Sequence, residues 1–440
     1  MNRLNENRKA VWGWAIYDWA NSAFATIVMA GFFPIVFKHY WSYEAHVNTS
    51  TARLGLVNSG ASLIVALIAP LVGAIADRGS SRKRFLVFFA YVGVLATACL
   101  FVIGKGQWQW AMLAYAIGII GFSGSNVFYD ALLTNVADRK NIDYVSGLGY
   151  ALGYLGGGLL LLISVVMTLV PQRFGLADAS QAIRISFLLV ALWWGGFSLF
   201  IAFWVTEGRL QRPAAGQAIA GGFRQLVDTF HKIRRLKPVF LFLIAYWLYI
   251  DGVNTIVRMA VDYGLSLGFS QQDLILALLL VQFVGFPAAL GFGKLAAWWE
   301  TRKCIFLGIG CYCLIVLWAT FMTSKIEFYF LAAAVGLVQG GIQALSRSYY
   351  SRLIPADQAG EYYGFYNMMG RFAAIFGPIL MGGVALVTRW FLTPPSPTPE
   401  ELDGIGQTAA RWGIASLLLL FLVGALFLYF VRTSEDPKTP

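Results

Sequence analysis

Gly124-Ser-Asn126, followed by Asp130, Gly147, Gly149-Tyr150 and Gly153, returns later in the chain as Gly341-Ile-Gln343, Arg347, Gly364, Tyr366-Asn367 and Gly370, each 217 positions on and with no gap. Two shorter echoes flank this one. Asp18-Trp-Ala-Asn21 matches Asp251-Gly-Val-Asn254 at an offset of 233, and Gly73 with Arg82-Lys83 matches Gly293 with Arg302-Lys303 at 220. Each match is weak alone. Three in the same order, at corresponding apolar segments, indicate a chain made of two similar halves.

Those apolar segments number twelve, six to each half. Their approximate bounds are 12–38, 52–76, 85–104, 108–133, 146–170, 185–206, 238–262, 271–296, 304–323, 327–350, 361–388 and 409–431. A run of roughly 20 apolar residues crosses the hydrocarbon core as a helix, because every backbone group there must be bonded internally. Hydrophobic residues make up 58% of the 440 and charged residues 12%, about half the charge of a soluble domain. Six spans per half keep the repeat in one orientation. The expected fold is therefore all-α: two six-helix bundles related by a pseudo-twofold axis along the membrane normal, with a site between them near the midplane. Expected boundaries are 1–206 for the first bundle, 207–237 for a link and 238–440 for the second.

The formal charge of +11 raises the question of nucleic acid, and its distribution answers it. With the N-terminus in the cytoplasm, about 23 of the 33 Lys and Arg fall on the cytoplasmic side and about 8 outside. An even number of spans puts both termini in the cytoplasm, as expected for a bacterial inner membrane. Met1 to Lys9 is polar and basic, and the run after it is too long for a signal h-region, so the first span is expected to remain. The longer links are Glu207–Lys237 and Arg389–Thr408. The second contains Thr393-Pro-Pro-Ser-Pro-Thr-Pro399 and reads as a stiff loop. In the first, Phe223, Leu226, Val227, Phe230, Ile233 and Leu236 form a stripe opposite Arg224, Lys232 and Arg235, an amphipathic helix suited to the inner leaflet. Cys99, Cys304, Cys311 and Cys313 lie within spans and are read as small buried residues without disulfides.

Gly73-Ala-Ile-Ala-Asp77-Arg78-Gly79-Ser-Ser-Arg82-Lys83-Arg84 resembles the motif between spans two and three of the major facilitator superfamily, with Ser81 in place of its later Gly. An Asp at such a turn can cap a neighbouring helix, where free N–H groups favour a carboxylate. The resemblance implies that this partner is the eleventh span, which begins near Glu361. The basic residues from Arg78 to Arg84 are explained at least as well by anchoring at the inner face. The second half has Ala297 and Trp298 where Asp77 and Arg78 would stand, so such a latch is one-sided.

A closer resemblance covers most of the chain. Trp14-Ala-Ile-Tyr17-Asp18-Trp19-Ala20-Asn21-Ser22-Ala23-Phe24-Ala25-Thr26 with Gly31-Phe-Phe-Pro34, then Gln343-Ala-Leu-Ser346-Arg347-Ser348, Arg352-Leu-Ile-Pro355, Glu361-Tyr-Tyr-Gly364-Phe-Tyr366, Gly370-Arg371 and Gly377-Pro378, is similar to the "unknown major facilitator" family, which includes fungal vacuolar amino-acid effluxers linked to autophagy. That family often carries Lys at the position of Arg371. The resemblance implies the major facilitator fold and transport of small organic solutes, with amino acids foremost.

Charges inside spans are costly and face a cavity or a partner. Asp18, Asp251, Arg371, Arg258 and Asp130 stand out, with Asn21 one turn beyond Asp18 and Asn254 one turn beyond Asp251. Both charge signs suit a zwitterion: Arg371 for a carboxylate, Asp18 or Asp251 for an amine, with Tyr17 and Tyr366 adjoining. Structural ion pairing between helices is the competing reading. A desolvated carboxylate takes up a proton more readily, so Asp18 and Asp251 are the candidates for proton coupling. Asp77, Arg78, Asp130 and Arg347 are the candidates for gating; the repeat gives Asp130 and Arg347 equivalent places and opposite charges. Glycines Gly149, Gly153, Gly156, Gly157 and Gly158 on span five, and Gly370, Gly377, Gly382 and Gly383 on span eleven, are expected to let helices approach closely.

His39, His46 and His231 all lie outside the core of the spans, no His-Glu or Cys-His spacing suits a metal, and no Walker sequence is present. The expectation is a secondary transporter of a small solute, not an enzyme, with no cofactor and no metal, surrounded by lipid and working as a monomer. A lipid or lysolipid flippase on the same fold, or an uncoupled facilitator, is the alternative.

Overall fold

The computed structural model describes residues 2–44, 47–78, 81–207, 228–266, 270–373, 376–395 and 398–431. Among them there is no strand. Twelve helical segments are long and apolar enough to cross a membrane: Arg8–Trp41, Arg53–Asp77, Arg82–Val102, Trp108–Val136, Ile142–Leu169, Ala179–Trp204, Lys237–Val257, Asp273–Trp299, Thr301–Phe321, Lys325–Leu353, Ala356–Leu392 and Glu400–Tyr429. Every expected span overlaps one of these in order. The protein is an integral membrane protein with twelve spans.

Three departures have physical causes. The first span is not uniform. It is α-helical from Asn2 to Ala23, then π-helical over Phe24–Phe32 and again over Phe37–Trp41. Pro34 sits between the wide turns. Its ring presses on the carbonyl four residues back, at Ala30, and it has no N–H to give; a wider turn relieves both problems. The eleventh span is described over Ala359–Phe372 and Phe376–Leu392, with Ala373 a turn and Ala374 and Ile375 outside the described residues. The expected loop Arg389–Thr408 is much shorter. The eleventh span runs to Leu392 and a helix Pro399–Ala415 starts soon after. Thr398 and Glu401 form a reciprocal capping box there with Pro at the first helical position, a start signal that overrides the proline-rich composition.

The chain separates into two compact units. One comprises Met1–Phe230 and Ile354–Met368, the other His231–Leu353 and Met369–Pro440. Within the first, spans one and five are in close contact through glycine. A side chain at Gly153 would collide with Ser22 and Asp18, and one at Gly156 with the backbone and ring of Trp19. On span eleven the expectation holds only for Gly377. Gly370 has ordinary contacts, and Gly382 and Gly383 are exposed with nothing near them. In the central link, Phe223, Arg224, Leu226 and Val227 lie outside the described residues. Residues 228–235 are helical, with Ile233 buried and Phe230, Lys232, Arg235 and Leu236 exposed.

Candidate functional site

In the first unit, Asp18 is half-buried at the centre of a polar cluster built from spans one and four. Tyr129 donates its hydroxyl to Asp18 Oδ2 at 3.2 Å, and Ser22 donates to Oδ1 at 3.3 Å. Trp14 fixes Tyr129: its indole N–H reaches the Tyr129 carbonyl at 2.8 Å and the two rings stack 4.4 Å apart. One turn on, Asn21 is 2% exposed and gives Nδ2 to Asn126 Oδ1 at 2.6 Å. Tyr17 is fully buried and its ring lies 5.3 Å from that of Tyr129. The structure thus gathers Asp18, Asn21 and Tyr17 and adds Ser22, Asn126 and Tyr129. Asn126 stood inside the repeat and Tyr129 beside Asp130, but neither carries a charge to draw attention within a span.

The loop after span two is a built junction. Asp77 accepts the N–H of Gly360 at 2.9 Å on Oδ1 and that of Glu361 at 2.8 Å on Oδ2, capping Ala359–Phe372. Gly73 and Gly360 meet backbone to backbone, leaving no room for a Cβ on either. Arg82 is the hub that sequence alone did not single out. Its Nε meets Asp77 Oδ1 at 2.6 Å, Nη1 meets Asn135 Oδ1 at 3.0 Å, and Nη2 meets the carbonyls of Ala356 and Asp357 at 3.1 Å. Lys83 Nζ holds the carbonyls of Ala202 and Val205 at the end of span six. Surface anchoring therefore does not account for Arg82 or Lys83; both ends of these charges are used inside the protein. Arg84 is exposed. Arg78 and Arg258 lie in helices, but their side chains fall outside the described residues. Beside the junction, the Glu207 carboxylate accepts the backbone N–H of Lys83 at 3.1 Å, and burial pushes its pKa above the usual carboxylate range despite that bond and the nearby Arg82 and Lys83 charges. Asp130, 8% exposed, accepts Nδ2 of Asn367 at 3.0 Å. Tyr366 is buried with its ring edge-on to Tyr363.

In the second unit, Asp251 is 1% exposed and already committed. The N–H of Gly377 donates to Oδ2 at 2.9 Å, and Thr255 donates to Oδ1 at 3.3 Å. Gly377 is the second residue of the described helix Phe376–Leu392, so Asp251 holds an N–H near its start, where the helix dipole favours a carboxylate. The fit requires glycine, since a Cβ at 377 would overlap Thr255. Arg371 occupies the last turn of Ala359–Phe372. Asn254 is half-buried one turn from Asp251. Arg347 is 2% exposed on Lys325–Leu353. The two carboxylates made equivalent by the repeat thus have different surroundings: Asp18 sits among side-chain hydroxyls and is partly accessible, while Asp251 is closed around a backbone amide.

Residues 6–389 match the family described as "Vacuole effluxer Atg22 like". An uncharacterized MFS-type transporter of Bacillus subtilis, YxiO, is 37% identical over 428 residues, covering 96% of this chain and 95% of its own. Autophagy-related protein 22 of Saccharomyces cerevisiae is 22% identical over 471 residues, covering 86% of this chain and 87% of that one. Among solved structures, the human organic anion transporter MFSD10 aligns with a TM-score of 0.69 at 14% identity, over 96% of this chain and 99% of that one. A bacterial homologue of the iron transporter ferroportin, in an outward-facing state, aligns at 0.63 and 12% identity over 96% and 98%. The fold is that of the major facilitator transporters.

Proposed function

The chain belongs to the vacuole effluxer Atg22-like family of major facilitator transporters and is not an enzyme; from that premise we propose that it moves a small zwitterionic solute, an amino acid or a close relative, by alternating access coupled to protons. The observation that carries this reading is the Asp18 cluster. A half-buried carboxylate steadied by Tyr129 and Ser22 can exchange one of those hydroxyls for a substrate ammonium or a proton. Asp18 is therefore the amine and proton site, with Asn21 adding a hydrogen bond. Arg371 takes the carboxylate, since its charge does not titrate and its fork matches two oxygens. The family's description as vacuole effluxers supports movement of a solute, and the solute class rests on the charges of Asp18 and Arg371. The excess of Lys and Arg in alternate loops and the Bacillus subtilis relative support a bacterial plasma membrane with both termini inside. A monomer satisfies the reading.

Purified protein in liposomes, offered radiolabelled amino acids with and without an imposed pH gradient, tests it. Wild type should accumulate substrate when the gradient is present. Asp18→Asn should lose accumulation, Arg371→Ala should lose binding, and Arg371→Lys should keep part of it. If neutral sugars or lipids move while amino acids neither bind nor move, the assignment is wrong.

A further inference from the structure

We propose that Lys232, Arg234, Arg235 and Lys237 form a docking surface for the phosphate headgroups of acidic phospholipids at the inner end of span seven. The four cations fall within six residues and all are exposed. Residues 228–235 are helical. The Leu236 N–H meets the Lys232 carbonyl at 2.9 Å and the Phe240 N–H meets the Leu236 carbonyl at 3.0 Å, which carries the backbone through a bend at Leu236 into Lys237–Ser266. The cluster is therefore joined firmly to the span. Thr229 and Ile233 are buried, so one side of this helix is held by the protein and the charged side is left outward.

Free charge distinguishes the cluster. Other cations at the inner ends of spans are spent within the protein: Arg302 on the Tyr429 carbonyl, Arg352 on the Thr301 hydroxyl and Lys303 on Glu300, as Arg82 and Lys83 are in the first unit. Among the described residues no acid pairs with any of the four. The neighbouring sequence is equally one-sided, with seven Lys and Arg from Gly208 to Lys237 and one acid, Asp228. Lys232 with Arg235, and Arg234 with Lys237, stand three apart, where like charges on a helix repel. A counter-charge from outside relieves this. Depth and company select its source. Five residues of helix rise about 7.5 Å, and the headgroup layer is roughly 5–8 Å thick on each side. The cluster starts where the apolar run of span seven ends, so its charges lie level with lipid phosphates. Exposed Phe230, Leu236 and Phe240 flank them, which suits an amphiphile rather than a water-soluble acid. Topology explains why cations stand at the inner face, not why these four lack partners. The inference uses the inner-face orientation given above and is independent of the transported solute.

The test uses the full chain in detergent, titrated with phosphatidylglycerol or with phosphatidylcholine of the same acyl chains, and native mass spectrometry to count bound lipids. Neither reagent depends on which way the protein sits in a membrane. Wild type should bind phosphatidylglycerol more tightly. At roughly fivefold per charge, Lys232→Gln, Arg234→Gln and Arg235→Gln together should lower the ratio of affinities at least tenfold. Arg84→Gln, Lys140→Gln and Lys294→Gln together remove as much charge from exposed positions elsewhere and should keep the wild-type ratio. Lys232→Gln with Arg235→Gln serves if the triple variant fails to fold. An unchanged ratio in the cluster variant overturns the proposal. Equal losses in both triple variants overturn it as well, since acidic lipid would then follow overall basicity. So does displacement of the lipid by glycerol 3-phosphate at equal concentration, the mark of a site for soluble phosphate.

Discussion

Replacing Asp251 with asparagine should leave gradient-driven transport close to wild type, while alanine should impair transport and stability together. The carboxylate accepts the Gly377 amide at 2.9 Å and the Thr255 hydroxyl at 3.3 Å, in a place 1% exposed. Asparagine retains a side-chain oxygen for Gly377. At that amide it forfeits the attraction between a charge and the helix dipole, about 0.3–1 kcal/mol. Alanine forfeits that and also strands a buried N–H, a further ~1–3 kcal/mol. At roughly 1.4 kcal/mol per factor of ten, asparagine costs a few-fold at most and alanine from tenfold upward in the equilibrium that holds the start of Phe376–Leu392 in place. Uptake into proteoliposomes under a pH gradient, substrate counterflow without one, and thermal unfolding would be measured on all three proteins. The reasoning is refuted if Asp251→Asn abolishes uphill accumulation while counterflow persists. Asp251 would then be carrying protons, the role that its repeat-related place beside Asp18 suggests from sequence.

At the junction after span two, Asp77→Ala or Arg82→Ala should each destabilise by about 3–5 kcal/mol, because each leaves a buried charge without its counter-charge. The double variant should cost clearly less than the sum, and additive losses in thermal unfolding would argue against a coupled pair. Arg82→Lys should not rescue function, since a single ammonium cannot reproduce contacts made by Nε, Nη1 and Nη2. For Glu207, burial sets the folded pKa above the unfolded one. Its stabilising contribution is therefore full below the unfolded value, near ~4.3, and is lost as pH rises through the folded value. Glu207→Gln should flatten that stretch of the stability–pH curve, and an identical curve for both proteins would contradict the assignment. For the gate proposed from the repeat, Asp130→Arg combined with Arg347→Asp should restore transport that either single change removes; no recovery would take Arg347 out of that role.

The span count, the order of the spans and a capping role for Asp77 were legible because each leaves a local mark, a long apolar run or an acid at a tight turn; the eleventh span as its partner came only from the resemblance to the major facilitator motif. At span eleven the local mark was Pro378, which gives no N–H and crowds the carbonyl four residues back. What left no mark is the partner of the Gly377 N–H, a carboxylate more than a hundred residues earlier, on span seven. The wide turns of span one are similar, with Pro34 the only local hint. Arg82 stood open between anchoring and a junction role, because a basic residue at the inner face has a sufficient explanation in topology, and only its contacts show that the charge is spent inside the fold. Among the candidate site residues, sequence symmetry implied like roles for Asp18 and Asp251. Their surroundings share a hydroxyl one turn on, Ser22 for Asp18 and Thr255 for Asp251, and differ in the second donor, the Tyr129 hydroxyl in one case and the amide of Gly377 in the other.

The placement of Ile354–Met368 in the first compact unit has a consequence for how the chain is made. The ribosome delivers spans one to six long before it delivers this segment. Through that interval Asp77 lacks the amides of Gly360 and Glu361, Arg82 lacks the carbonyls of Ala356 and Asp357, and the backbone groove beside Gly73 stands open. The nascent first half therefore waits with unmet donors and acceptors at this junction, and a chain that stops before residues 354–368 cannot close it.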